Sequence, residues 1–475
     1  MRDTAAALPA DGDQVSLSAG LWDMLAAIRP GDIPASARER VRLCVLDTIG
    51  VALAAAARGV GTAGAKVARP EHAGATVWGS GFTARAQDAA LANGILAHAL
   101  DFDDTHPEAI MHTSAIIVPA ALAVAEEERL SGDALVAALV AGYEAAARLG
   151  RAAPGAFQEN GFQATAVLGV FAATVAVGHL RGVSHETARN AMGLAGSMAS
   201  GLMEYLSDGS DAKQMHCGWA AQSAIRAVDL ARAGLTGPAR VLEGRFGVYR
   251  SFTRREAKVE EILAPFRPRF EVERMAPKPY PACLCVHAGI DAMLALRRSG
   301  AFQPDNPDNI AEIICEVPQW YVNLVLEPLD KKMHPRTPYE ARFSLPYCLA
   351  RAAVDGRVGL DSFGKDRLTD SGIAALAQRV SYKVRQFDEF PEAFPAVVTL
   401  RTADGHERSH AELYNRGSER NPMSRAEIEA KFADAVGDSL SQDQARAVIT
   451  AIQTLSGMPT LNDLSAVLRQ AVPAV

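Results

Sequence analysis

The chain has 475 residues, 49% of them hydrophobic and 22% charged, with a formal net charge of -7. That length is more than one compact core serves, so two domains are expected, and the composition excludes a largely disordered chain. The negative balance argues against nucleic acid as a partner, because such binding needs a basic face that releases counterions, and leaves small-molecule chemistry as the class to seek.

In chain order, the opening stretch MRDTAAALPADGDQVSLSAG lacks the cationic start and apolar core of a signal peptide and reads as a polar, mobile lead-in. From Leu17 to about Leu235 the apolar positions recur at helical spacing. One helix is predicted from an N-cap at Ser36 to Ala57, where RGVGTAG breaks it, and another begins after Ser131 in SGDALVAALVAGYEAAARLG. Alanine and glycine dominate these apolar faces, which lets the helices approach closely. The runs Ala115 to Ala125 and Ala164 to Val177 fall short of a membrane span. Six scattered cysteines do not form a secreted disulfide framework. A soluble, cytoplasmic protein with no membrane partner is expected.

After roughly Phe266 the text changes. IAEIICEVPQW, RVSYKVRQFDE and AVVTLRTADGHERSHAEL alternate and are β-branched, as strands are, with helical segments near His287 to Arg298 and Tyr339 to Val354 between them. Helical periodicity returns from Ser424 to the end. The expected fold is mainly α with an α+β second domain: a helical domain from residues 15–266 and 416–475, with residues 267–415 inserted as a smaller lid. No glycine-rich nucleotide fingerprint and no internal repeat stands out.

The densest chemistry lies in ALDFDDTHPEAIMHTSA. Four carboxylates and two histidines fall between Asp101 and Ser114. Asp101, Asp104, His106 and His112 match no helical metal-ligand spacing, and the CLCVH run at Cys283 to His287 reads as buried structural cysteines. On spacing alone the stretch is a helix C-terminus entering a polar loop. Aspartates there face the negative end of the helix dipole, so something else must hold them. His98 reads as a satisfied core histidine, placed at i, i+3 to pair with Asp101. Arg336 and Arg342 in PRTPYEAR are candidates to grip a carboxylate bidentately, ranked below Lys213 and Lys278.

HALDFDDTH followed by H-x-S-A resembles the signature of the MmgE/PrpD family. The resemblance continues through GFQATAVLGVFAAT, SDGSDAKQMHCGWAAQSAI, KPYPACLCVHAGIDA and EARFSLPY. It implies a large all-helical domain with a smaller α+β lid, usually in a homodimer, and an enzyme without metal or cofactor acting on di- and tricarboxylates between the domains. It further points to Asp101, Thr105 and His112, to Lys213 with His216, and to Lys278. Family members commonly carry histidine in a G-F-H-x-T run where this chain has Gln163, which cannot titrate.

The shared hard step for such substrates is a carbanion beside a carboxylate. Fixed cations lower its energy most in a water-shielded site, the role expected of Lys213 and Lys278. His112 is the expected proton carrier, and Asp101 would fix its tautomer or orient substrate. Thr105, Gln163, His216 and Arg336 are the expected substrate-binding residues. The leading expectation is a hydro-lyase similar to 2-methylcitrate dehydratase. The alternatives are an epimerase, isomerase or decarboxylase of a related acid, or a non-catalytic binder.

Overall fold

The computed structural model describes residues 16–303 and 309–472; the lead-in up to Val15 lies outside them. Helices α1 (Leu17–Ala26), α2 (Ala35–Ala57), α3 (Ala86–His98), α4 (Ser114–Glu127), α5 (Gly132–Arg151), α6 (Ala164–Leu180), α7 (His185–Met198) and α8 (Ala212–Arg232) pack into one body. Its apolar core includes residues from Leu17 to Met275 and resumes at Phe432 to Ala471. Two alignments with the sequence pattern need adjustment. Helix α2 starts one residue before Ser36, with Pro34 at the cap position. The helical stretch is also interrupted by a small antiparallel pair, β1 (Pro70–Thr76) and β2 (Thr83–Ala84). Ser131 caps α5 as expected, accepting from the Ala134 amide at 3.2 Å.

A second core is built from residues between Ala282 and Leu400. Here α9 (His287–Arg298) packs on a four-stranded sheet of β3 (Ile310–Val317), β4 (Val380–Val384), β5 (Ala396–Thr402) and β6 (Glu407–Glu412), in the order β4-β3-β5-β6, and α10 (Leu345–Asp355) packs against α9. β3 runs parallel to β4 and antiparallel to β5. The single helix expected over Tyr339 to Val354 is broken at Phe343 and Ser344. Ser344 accepts from the Tyr347 amide at 3.0 Å and starts a new helix with Pro346 in its first turn. The chain then returns to the helical body through α11 (Arg425–Val436), α12 (Gln442–Gln453) and α13 (Asn462–Gln470). Serine capping boxes open the first two. The fold is therefore a large helical body built from both terminal segments with a smaller α+β unit inserted. Among the described residues no helix is long and apolar enough to cross a membrane.

The crossing of α3 and α8 positions the site. Gly94 and Gly218 meet backbone to backbone, so that a Cβ on Gly94 would lie 2.6 Å from Gly218 Cα, and one on Gly218 would lie 2.2 Å from the Leu91 carbonyl oxygen. Only glycine permits this approach. It brings the C-terminal end of α3, and hence Asp101, beside Lys213 in the first turn of α8.

Candidate active site

Asp101 follows α3 in the left-handed conformation, with φ of 51°. This turn aims its carboxylate across the bundle instead of back along its own helix. Lys213 Nζ donates to Asp101 Oδ1 at 2.6 Å, and Lys278 Nζ donates to the same oxygen at 3.1 Å and to the Asp101 carbonyl at 2.9 Å. An acid at a helix C-terminus and a base at a helix N-terminus each oppose the local dipole by about 0.3–1 kcal/mol; pairing them across the gap offsets both. Lys278 is brought in by a bridge in which Thr105 and Ala276 exchange backbone hydrogen bonds of 3.0 and 2.8 Å. All three side chains are buried. Burial alone would raise the Asp101 carboxyl, but the two ammonium groups outweigh it and hold it below the usual carboxylate range. Burial likewise opposes the charge on Lys213, and Asp101 overrides it, raising the lysine above its ordinary value.

The carboxylate beside His112 is Asp103, not Asp101. Asp103 Oδ2 lies 2.8 Å from His98 Nδ1 and 3.3 Å from His112 Nδ1. The pairing of His98 with Asp101 suggested by their i, i+3 spacing does not form, because the left-handed turn carries Asp101 away and returns the chain with Asp103 under the ring. Burial works against ionisation of Asp103, and the two imidazoles outweigh it. His112 Nδ1 also lies 3.4 Å from Thr105 Oγ1, and its backbone N–H donates to Thr165 Oγ1 on α6 at 3.1 Å. With Nδ1–H so engaged, Nε2 is the atom left for the cavity that His112 lines. Burial, aided by Lys278 and Lys213 and resisted by Asp103, brings His112 down to about 4. The ring is neutral at pH 7.

That narrow cavity, of about 90 Å³, lies between the two cores. It is lined by Asp101, Thr105, His112, Gln163, Lys213 and Lys278, by Tyr205, Cys283 and Cys285, and by the apolar Met203, Leu284, Trp320, Phe343 and Phe394. The Phe343 ring sits 4.9 Å from Lys213 Nζ. Gln163 reaches the cavity but spends its amide on two imidazoles: its oxygen lies 2.5 Å from His216 Nδ1 and its nitrogen 3.3 Å from His98 Nε2. His216 is thus held behind Gln163 and does not line the cavity; burial lowers it to about 4. Arg336 stays away from the site. Its side chain is 74% exposed and is committed to Glu340, which also takes its backbone N–H. Arg342 is the arginine that arrives: buried, it donates to the Leu100 carbonyl just before Asp101, and burial lowers it to about 10.

Of the remaining groups in this stretch, Asp104 accepts from Ser114 Oγ at 2.5 Å and is lifted by burial to about 7. His106 pairs with Glu271 at 3.1 Å. His98, Asp103 and His112 place ligand-type atoms within 4.8 Å of one another, close enough for a cation. Both Nδ1 atoms converge on a single carboxylate oxygen, however, which suits two N–H donors on one acceptor. In CLCVH both cysteines are free and His287 Nε2 meets the Ala282 carbonyl at 3.1 Å, so that run forms no ligand set. The role of Asp103 and the His98–Gln163–His216 line left no signal in the sequence: the pairing five residues apart matches no helical spacing, and the other two contacts span 53 and 65 residues.

A helical body with an inserted α+β unit is the two-domain architecture of one family. Residues 20–260 match the MmgE/PrpD N-terminal domain and residues 280–456 the MmgE/PrpD C-terminal domain, and the chain belongs to the MmgE/PrpD family. It is similar to the cis-aconitate decarboxylase of Homo sapiens, with 26% identity over 92% of this chain and 91% of the relative. It is also similar to a cis-aconitate decarboxylase-like protein of Aspergillus oryzae, at 24% over 95% and 97%, and to the cis-aconitate decarboxylase of Aspergillus terreus, at 26% over 80% of each chain. The two relatives named as decarboxylases are lyase-type enzymes.

Proposed function

We propose that this protein is a lyase that decarboxylates an unsaturated di- or tricarboxylate without help from a cofactor. The observation that carries the reading is the mixed lining of the cavity. Lys213, Lys278 and His112 share it with the apolar Met203, Leu284, Trp320, Phe343 and Phe394. A substrate carboxylate gripped near Lys213 and Lys278 is stabilised, while one lodged among the apolar side chains is stripped of water and unpaired, which favours its departure as neutral CO₂. The C–C bond to that group breaks, its electron pair passes through the adjacent double bond towards the gripped carboxylate, and the two ammonium groups stabilise the resulting anion. Bound substrate charge raises the proton affinity of His112 Nε2, so the ring takes up a proton on binding and delivers it to carbon. The cis-aconitate decarboxylase relatives support this reading.

The dehydratase reading is kept for one observation: a neutral His112 with a free Nε2 is equally set to remove a proton from carbon, with Thr105 beside it for a leaving hydroxyl. Incubation with cis-aconitate and with 2-methylcitrate separates the two. Labelled CO₂ from the first acid supports decarboxylation. Loss of water from the second, with no CO₂ from the first, transfers the assignment to dehydration. Neither product from either acid refutes both substrate assignments.

A further inference from the structure

Both polar atoms of Gln163 already have an imidazole partner within the protein, which raises the question of what it holds. Its neighbours form a line: His216 Nδ1 at 2.5 Å from Gln163 Oε1, Gln163 Nε2 at 3.3 Å from His98 Nε2, His98 Nδ1 at 2.8 Å from Asp103 Oδ2, and Asp103 Oδ2 at 3.3 Å from His112 Nδ1. Every member except His112 is buried. We infer that Gln163 is a positioning residue whose amide orders this line from one end, fixing His98 as its Nδ1–H tautomer and so, through Asp103, presenting the bare Nε2 of His112 to the cavity.

The direction follows from donor and acceptor identities. An amide NH₂ only donates, so facing His98 it requires an unprotonated Nε2. A neutral His98 then carries its proton on Nδ1, where it donates to Asp103. The same carboxylate oxygen takes the second N–H from His112. At the other end the amide oxygen only accepts, so His216 must present Nδ1–H. Turning the amide over would set its oxygen against His98 Nε2 and demand a proton there, leaving either a bare Nδ1 facing a carboxylate or a doubly protonated ring. The amide also cannot pass a proton along as an imidazole can. It therefore separates His216 from His98 and leaves His112 as the one imidazole, among the described residues, that lines the cavity.

The test reads tautomers in the full-length protein without substrate, and so is separable from the lyase reading on which only the turnover effect rests. Long-range ¹H–¹⁵N spectra of histidine-labelled protein, assigned with His98→Asn and His112→Asn, are expected at pH 7 to show both rings as neutral Nδ1–H tautomers. Gln163→Glu keeps the size but turns the donor into an acceptor, and should convert His98 to the doubly protonated form. The titratable groups that face the two rings are Asp103 and the His112 ring at His98, and Asp103, Lys278 and Lys213 at His112. Gln163→Leu should give mixed His98 tautomers and lower kcat by about 10-fold to 100-fold, the penalty of a partly mis-protonated imidazole, with KM within about twofold. A His98 that is doubly protonated or Nε2–H in the native protein overturns the inference. So does Gln163→Leu with raised KM and unchanged kcat, which would make Gln163 a substrate ligand. Expected tautomers in a protein that turns over no tested acid would sustain the positioning role and remove the lyase reading instead.

Discussion

Replacing Lys278 by methionine separates what the paired lysines do for stability from what they do for chemistry. Methionine fills the stem's volume and removes the charge. Asp101 keeps Lys213 at 2.6 Å, so no carboxylate is stranded, and only the Asp101 carbonyl loses its donor. Hydrogen bonds to a charged group are worth about 1.5–3 kcal/mol each, and the ammonium no longer has to be buried, a cost of several kcal/mol. The two nearly cancel. The urea midpoint of Lys278→Met should therefore correspond to a stability within about 2 kcal/mol of the parent. Asp101→Leu strands two buried ammonium groups and should cost about 3–5 kcal/mol. Turnover should rank differently, because removing one of two cations aimed at the developing anion is expected to lower kcat by about 10²–10³. Denaturation curves for both variants, with CO₂ release from cis-aconitate for Lys278→Met, measure this. A Lys278→Met protein that keeps a third of its kcat, or one less stable than Asp101→Leu, would refute the reasoning.

His112→Asn should fold normally and lose turnover by at least about 10²-fold; undiminished activity removes His112 as the proton carrier. The pH dependence of stability has two arms. His112 lies at about 4 in the folded protein against an ordinary 6.5, so the unfolded chain binds the extra proton between those values and stability falls as pH drops from 6.5 to 4, by about 3 kcal/mol from this ring. Glu271 is held at about 2 against an ordinary 4.5: burial opposes its ionisation, while His106 and Arg151 outweigh burial. Its contribution of about 3 kcal/mol is present above 4.5 and lost as pH falls through 2. Urea titrations across pH should show His112→Asn reducing the slope of the upper arm, to which His216 also contributes, and Glu271→Gln reducing that of the lower; the reverse pattern contradicts the assignment. Gly218→Ala should destabilise by about 1–3 kcal/mol and reduce turnover by displacing Lys213, checked by melting and kcat together. Prolonged EDTA treatment should leave turnover unchanged, and loss restored by a divalent cation would recast His98, Asp103 and His112 as ligands.

The helical body was legible because its signals are local. Ser131, Ser424 and Ser441 sit at helix starts and the apolar residues recur at helical spacing. The strands of the inserted unit were legible through alternation, as in Ile310 to Val317. What the sequence concealed was direction. Nothing in DFDDTH says that Asp101 adopts a left-handed turn, and that turn decides which aspartate meets the lysines and which meets the imidazoles. Arg336 and Arg342 looked equivalent in PRTPYEAR, six residues apart. Arg336 precedes the short helix Pro338–Arg342 and faces solvent, whereas Arg342 ends that helix facing the Leu100 carbonyl, a distinction set by tertiary packing alone. Gln163 was visible as a departure from the family histidine, but its partners were not.

The bridge between Thr105 and Ala276 ties the aspartate loop to the strap that carries Lys278 out of the helical body towards the inserted unit. Lineage and engineering inherit a constraint from it. Exchanging the whole inserted unit between family members at a junction after residue 280 keeps this charge cluster of native origin, whereas a cut before Ala276 imports a foreign lysine onto a resident aspartate. Recombination libraries built on this scaffold should tolerate crossovers on the far side of that strap and lose function when they fall within it.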